Sequence, residues 1–167
     1  VIDGRVCAPG EEGELRVKGR QVCQGYLDSA LDADAFDEDG WFRTGDLGVI
    51  DAEGFVSITG RLKDIIIRKG ENISAKEIED LLFAHPSIAD AAVIGLPDEK
   101  SGERACAVVV CKADSTISFD EMVSFLKTAQ LSVHKIPEQL EIVTSLPRNP
   151  SGKVLKKDLR ATYGGAS

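Results

Sequence analysis

The sequence predicts an α+β fold, on three observations. Residues 1–60 are rich in turns and alternate apolar with polar positions, the period of a half-buried strand. Residues 64–167 change character: short apolar runs are interleaved with amphipathic segments that open on capping residues, in the order β-α-β-β-α-β-α. The composition, 43% hydrophobic and 29% charged with six prolines in 167 residues, is globular rather than disordered. A chain of this length buries roughly 70% of its unfolded surface, enough to fold without staples.

Taken in order, Gly13-Glu14-Leu15-Arg16-Val17-Lys18-Gly19 is a strand between two glycines, and Asp28 to Phe36 suits a short acidic helix. Leu47 and Val49, then Val56 and Ile58, alternate about the four-residue connection Asp51-Ala52-Glu53-Gly54. Ile65-Ile66-Ile67 is a β-branched run. Ser74-Ala75-Lys76-Glu77 is a capping box that opens a helix with Ile78, Leu81 and Leu82 on one face, ended by Pro86. Ala91 to Gly95 and Ala105 to Cys111 are apolar strands, with Pro97 to Glu103 as a polar loop between them. Ser118 and Glu121 form a second capping box ahead of Phe119, Met122, Val123 and Leu126 at helical spacing. Leu140, Ile142 and Val143 give a last strand, and Leu155 to Tyr163 a last helix. The composition shifts near Gly60 to Asp64, which sets domains at 1–60 and 65–167 about a hinge at 61–64.

Acidic residues outnumber basic ones by 28 to 20, a net charge of −8, which excludes bulk attraction to nucleic acid or anionic lipid. No apolar run approaches the ~20 residues of a membrane-spanning helix, and Val1 to Gly10 has no signal-peptide pattern. Cys7, Cys23, Cys106 and Cys111 are widely spaced, with only His85 and His134 as co-ligands; neither a metal site nor a disulfide framework is expected, and a reducing cytoplasm fits. The chain opens on Val1-Ile2-Asp3, its only methionine is Met122, and residues 1–60 hold few long apolar segments, so it reads as a piece of a longer protein.

Four segments are too polar and glycine-rich to be core: Trp41 to Asp46, Gly60 to Asp64, Arg68 to Ile73, and Pro147 to Lys153. Lys153 ends a loop of two prolines and Ser-Gly, and its ammonium group suits a phosphate or carboxylate; equally, it suits a surface turn beside Lys156 and Lys157. The loop is no Walker A motif, since Pro147 stands where that motif needs glycine. Asp46, read at a strand start, offers two acceptor oxygens to a ribose diol or to a turn. Arg61 suits a ribose or phosphate, or a surface ion pair with Asp64.

In this order the segments resemble the C-terminal half of the adenylate-forming superfamily of acyl-CoA synthetases, aryl-CoA ligases, luciferases and non-ribosomal adenylation domains. The residues that carry the resemblance are Gly13-Glu14-Leu15, Gly25-Tyr26-Leu27, Trp41-Phe42-Arg43-Thr44-Gly45-Asp46, Gly60-Arg61-Leu62-Lys63-Asp64, Gly70-Glu71-Asn72-Ile73, Glu77-Ile78-Glu79, Gly95-Leu96-Pro97-Asp98 and Pro147 to Lys153, spread over nearly the whole chain. The nearest likeness is to a fatty-acyl-CoA or related carboxylic acid–CoA ligase.

The resemblance implies a β-barrel-like tail of a large N-terminal domain over 1–60, a hinge at 61–64, and a small mobile C-terminal lid, a sheet with packed helices, over 65–167. It implies two reactions. A carboxylic acid attacks the α-phosphate of ATP, with Mg2+, to give an acyl-adenylate and pyrophosphate; CoA then takes the acyl group and expels AMP. By position, Asp46 and Arg61 would hold the ribose, Lys153 would be the catalytic lysine of the adenylation step, Lys63 the hinge residue and Gly70 the glycine lining the pantetheine tunnel. Many relatives carry Asp at the hinge position. Ile67 stands where luciferases carry a functional lysine, which disfavours an oxidative luciferase step. Most ligands of ATP and Mg2+, and the acyl pocket, would precede Val1, so these residues alone are expected to be inactive; acyl specificity and any peripheral membrane contact would rest with that missing part, and the sequence gives no oligomeric state. Two other readings stay open: an adenylation domain that loads a carrier-protein phosphopantetheine, and a non-catalytic interaction module that reuses the lid fold.

Overall fold

The structure, a computed structural model, describes residues 1–2 and 4–164, and the chain divides into two units between Lys63 and Asp64. Of the expected 65–167 domain, residues 165–167 lie outside the described residues.

The first unit is a three-stranded antiparallel sheet of β1 (Glu12–Val17), β2 (Phe42–Ile50) and β3 (Val56–Arg61), in that order. The expected helix at 28–36 is shorter than its pattern: a 3-10 turn over Ser29–Leu31 and the single-turn α1 (Asp32–Ala35). Neither buries a residue, and a helix with no packed face has little to offset its nucleation cost.

The second unit opens on a 3-10 turn, Leu62–Asp64, that straddles the division. It continues through β4 (Ile65–Arg68), β5 (Glu71–Ser74), α2 (Ala75–Phe83), β6 (Ile88–Asp98), β7 (Gly102–Cys111), α3 (Phe119–Thr128), β8 (Gln139–Ile142) and α4 (Lys156–Tyr163). The sheet order is β5-β4-β7-β6, with β8 parallel to β7. β6 takes one edge of β7, so β4 and β8 share the other, pairing at Gly102 and at Cys106–Val109 respectively.

Alternation along β6 and β7 sends side chains to both faces of this sheet. Ala91, Val93, Ala105, Ala107 and Val109 join Ile78 and Leu82 of α2 and Met122 and Leu126 of α3 in one core. Ala92, Ile94, Leu96, Cys106 and Val108 pack on Leu159 of α4 and on Leu146 in the other. Burial on both faces is why these strands read as continuous apolar runs. Each fully buried Leu or Ile contributes about 2–3 kcal/mol of transfer free energy.

Three local expectations change. β5 went unread, because Ile73 is its only buried residue and Glu71 and Asn72 are exposed. The polar loop at 97–103 is mostly strand: β6 and β7 stay paired as far as Asp98 and Gly102, so only residues 99–101 turn. Ser118 and Glu121 form the reciprocal capping box on α3, whereas Glu77 on α2 turns its carboxylate to Lys135 Nζ at 2.7 and 3.0 Å.

Candidate active-site residues

In the first unit, Asp46 does not sit at a strand start, as its sequence suggested, but inside β2, at a bulge. Between the pairs Glu14↔Leu47 and Arg16↔Arg43, one residue of β1, Leu15, faces three of β2, Thr44-Gly45-Asp46, which form the bulge. Gly45 takes φ +69°, a left-handed conformation that favours glycine. Thr44 Oγ1 donates to the Leu15 carbonyl at 2.7 Å and accepts from Asp46 N at 3.0 Å, which pins the bulge from both strands. On its other side Asp46 pairs with Arg61 of β3, next to a second register shift between Leu47 and Gly48.

Arg61 Nε lies 2.6 Å from Asp46 Oδ1, an ion-pair distance whose N–H is not aimed at the oxygen. The side chains are 32% and 30% exposed, so both remain reachable from solvent. Arg61 is thus paired with Asp46 rather than with Asp64, the partner nearest in sequence. An acceptor carboxylate beside a donor guanidinium can grip two adjacent hydroxyl groups at once.

In the second unit, Gly70 and Lys69 form the two-residue turn between β4 and β5, with φ +81° and +52°, and Arg68 pairs with Glu71 across it. Two successive left-handed residues define the hairpin turn that glycine favours. A Cβ built on Gly70 meets nothing within 4 Å, so backbone conformation rather than crowding within the unit requires glycine here. The turn is fastened to β7: Lys69 N donates to Ser101 O at 2.7 Å, and Ile67 N to Glu103 Oε2 at 2.7 Å.

Lys153 ends a hairpin-like loop at 147–155, closed by the pairing of Arg148 with Val154 and by Leu155 N donating to Pro147 O at 2.8 Å. Asn149 organises the tip. Its Oδ1 accepts from Lys153 N and from Ser151 Oγ, both at 2.8 Å, and its backbone accepts from Gly152 N and donates to Lys153 O, both at 2.9 Å. Lys153 is exposed, and among the described residues its ammonium group makes no hydrogen bond or ion pair.

The neighbouring lysine behaves differently. Lys156, which sequence placed among surface charges, is only 15% exposed, with Nζ 2.8 Å from Glu79 Oε1 and 3.6 Å from Asp64 Oδ2. Asp64 also faces Arg160 at 3.5 Å, so the residue after Lys63 is tied to two cations of α4. Only the tertiary fold brings these charges together; their one sequence signal is the acidic Glu77-Ile78-Glu79 on α2.

The Gly70 turn and the Lys153 loop sit far apart. The turn meets β7 at Gly102, which pairs with Asp98 at the end of β6, while the loop meets β6 at Asp90 through Arg148. Asp98 lies eight residue steps along β6 from Asp90, about 26 Å at a rise of roughly 3.3 Å per residue. Among the described residues no group of three His, Cys, Asp or Glu side chains could hold a metal ion, and no helix is long and apolar enough to cross a membrane.

Residues 77–153 match the family model of the AMP-binding enzyme C-terminal domain. The chain belongs to the adenylate-forming enzymes and carries their C-terminal part. It is 47% identical to the medium-chain fatty-acid–CoA ligase of Escherichia coli over 91% of its own length and 27% of that relative. The ATP-bound structure of MatB from Rhodopseudomonas palustris superposes with a TM-score of 0.88 at 41% identity, over 95% of this chain and 32% of that one. The o-succinylbenzoate CoA synthetase of Bacillus subtilis, complexed with its acyl-adenylate, gives 0.87 at 38% identity over 99% and 34%. The chain therefore spans about a third of the length of the relatives it matches.

Proposed function

We propose that the full-length protein containing this chain is an AMP-forming acid–thiol ligase, which activates a carboxylic acid, a fatty acid by chemical class, as its acyl-adenylate and passes the acyl group to CoA. The observation that carries this reading is that the Lys153 loop and the Gly70 turn are fastened to the β6–β7 hairpin at points about 26 Å apart along β6. A reaction centre a few ångströms across cannot use both ends of one rigid hairpin at once. Two reactions in succession, each served by one end, can.

On this reading Asp46 accepts hydrogen bonds from the two ribose hydroxyls of ATP while Arg61 donates from beside it. Lys153 brings a solvent-exposed cation to the place where two anions, a carboxylate and the α-phosphate, must approach. A positioned donor of this kind contributes on the order of 3 kcal/mol to the transition state. Gly70 serves the second step, where a turn without a side chain lets the narrow pantetheine arm pass. Residues 1–60 are the end of the larger domain, 61–64 the hinge with Lys63 as pivot, and 65–167 the lid. The Mg2+ that accompanies ATP is assigned no ligand in this chain, since the described residues offer it no cluster. Cys7, Cys23, Cys106 and Cys111 are free thiols, which fits a reducing cytoplasm.

The test separates the half-reactions in the full-length enzyme. Lys153→Ala should slow acid-dependent ATP–pyrophosphate exchange roughly 100- to 1000-fold and spare thioester formation from supplied acyl-adenylate and CoA. Gly70→Asn should do the reverse, because asparagine tolerates the left-handed turn while adding a side chain to the passage. Equal losses in both half-reactions for either variant would overturn the assignment. Thioester formed only on a carrier protein, and never on free CoA, would transfer the acceptor to that class.

A further inference from the structure

Among the described residues the Lys153 side chain has no partner, so its position is set by the loop that carries it. Asn149 shapes the tip of that loop from within, but nothing internal to the tip fixes it against the sheet. Arg148 does. Its Nη1 donates to the carbonyl of Gly152, the residue directly before Lys153, at 2.5 Å, and its Nη2 lies 2.5 Å from Asp90 Oδ2 on β6.

Asp90 is itself anchored. It follows a register shift in the β6–β7 ladder, pairs with Val110 and accepts from Ala91 N through Oδ1 at 3.0 Å. Its other oxygen is left to meet the guanidinium. The planar fork of arginine spans the two acceptors at once; a lysine, with one point charge, holds one or the other.

We propose that Arg148 and Asp90 are positioning residues for Lys153: a clamp that ties the Gly152 carbonyl to β6 and so fixes where the lysine's backbone starts. The inference rests on the reading of Lys153 as the adenylation lysine. A long flexible side chain that starts in the wrong place misses its target for most of its rotamers, and a displacement of about 1 Å costs roughly 100-fold in rate. The clamp therefore matters to adenylation and not to acyl transfer, which the opposite end of the hairpin serves.

The experiment uses the full-length enzyme with the acid, from a panel running from hexanoate to palmitate plus simple aryl acids, that supports the fastest ATP–pyrophosphate exchange. Arg148→Ala and Asp90→Asn should each lower the exchange kcat about tenfold or more, leave KM for ATP within about twofold, and leave thioester formation from supplied acyl-adenylate unchanged. Arg148→Lys should fall between, and the double variant should be no slower than Arg148→Ala alone. Global destabilisation would lower both half-reactions together, so equal losses overturn the clamp, as does exchange within about twofold of the parent enzyme or full additivity in the double variant. Arg148→Lys and Asp90→Asn keep the test open if Arg148→Ala folds poorly. A Lys153→Ala enzyme that exchanges normally overturns the reading of Lys153 and the clamp with it; a dead Lys153→Ala beside a normal Arg148→Ala overturns the clamp alone.

Discussion

Asp46 and Arg61 are paired across β2 and β3, beside a bulge that Thr44 pins to β1. Both are about a third exposed, so the pair contributes at most about 1 kcal/mol to stability. A ribose-binding role and a structural role therefore separate cleanly. Asp46→Ala in the full-length enzyme should raise KM for ATP about tenfold or more while the urea midpoint barely moves. An unchanged KM would return the pair to a surface ion pair.

What the sequence disclosed and what it hid follow one rule. Ile78 and Leu82, or Met122 and Leu126, announce themselves because periodic burial leaves a periodic pattern. Asp46, Arg61, Gly70 and Lys153 were legible only as a set of motifs, since each is a polar residue with an equally good reason to lie in a turn. Asp90 and Arg148 were invisible as a pair, because 58 residues separate them and only the β6 anchor brings them together. The strand β5 was lost for a related reason: its register is imposed by the Lys69-Gly70 turn, not by any alternation of its own.

The capping box on α3 makes stability depend on pH. Glu121 accepts from Ser118 N at 2.7 Å and from Ser118 Oγ at 2.8 Å, and these hydrogen bonds hold its carboxyl below the ordinary 4.5. A depressed carboxylate stabilises the fold above its unfolded value, and the benefit is lost as pH falls through the folded one. Glu121→Gln keeps the hydrogen-bonding shape and removes the charge. Its urea midpoint should lie below that of the parent near neutral pH and converge with it in acid, once Glu121 is protonated in the folded chain. A gap that persists in acid would mean the charge is not what matters.

Cysteine reactivity should divide by burial. Cys106 is fully buried in the α4-side core, and desolvation, with the charge of Glu141 adding to it, pushes its thiol up to about 12. The thiolate is the reactive form, so Cys106 should resist a disulfide reagent in the folded chain at about pH 8 and react only on unfolding. Cys23, which is exposed, should react at once. Peptide mapping of the labelled chain reads both, and early labelling at Cys106 would contradict the packing.

Lys156 and Glu79 set up the sharpest stability test, because Glu79 does two tasks. Its Oε1 lies 2.8 Å from Lys156 Nζ and also accepts from Val93 N at 2.7 Å. β6 is the outer strand of its sheet, and that N–H points away from β7 with no ladder partner. α2 therefore covers the edge with a carboxylate, which in turn draws in the first residue of α4. Glu79→Ala strands a cation only 15% exposed and orphans a backbone donor, so it should cost about 3 kcal/mol in urea unfolding. Glu79→Gln still accepts from Val93 and should cost less; Lys156→Met, which removes the charge but keeps the apolar stem, should cost least, since Glu79 retains its strand contact. Destabilisation by Glu79→Ala within about 0.5 kcal/mol of zero would show that water replaces both partners and that α4 is held by Leu159 and its apolar neighbours alone.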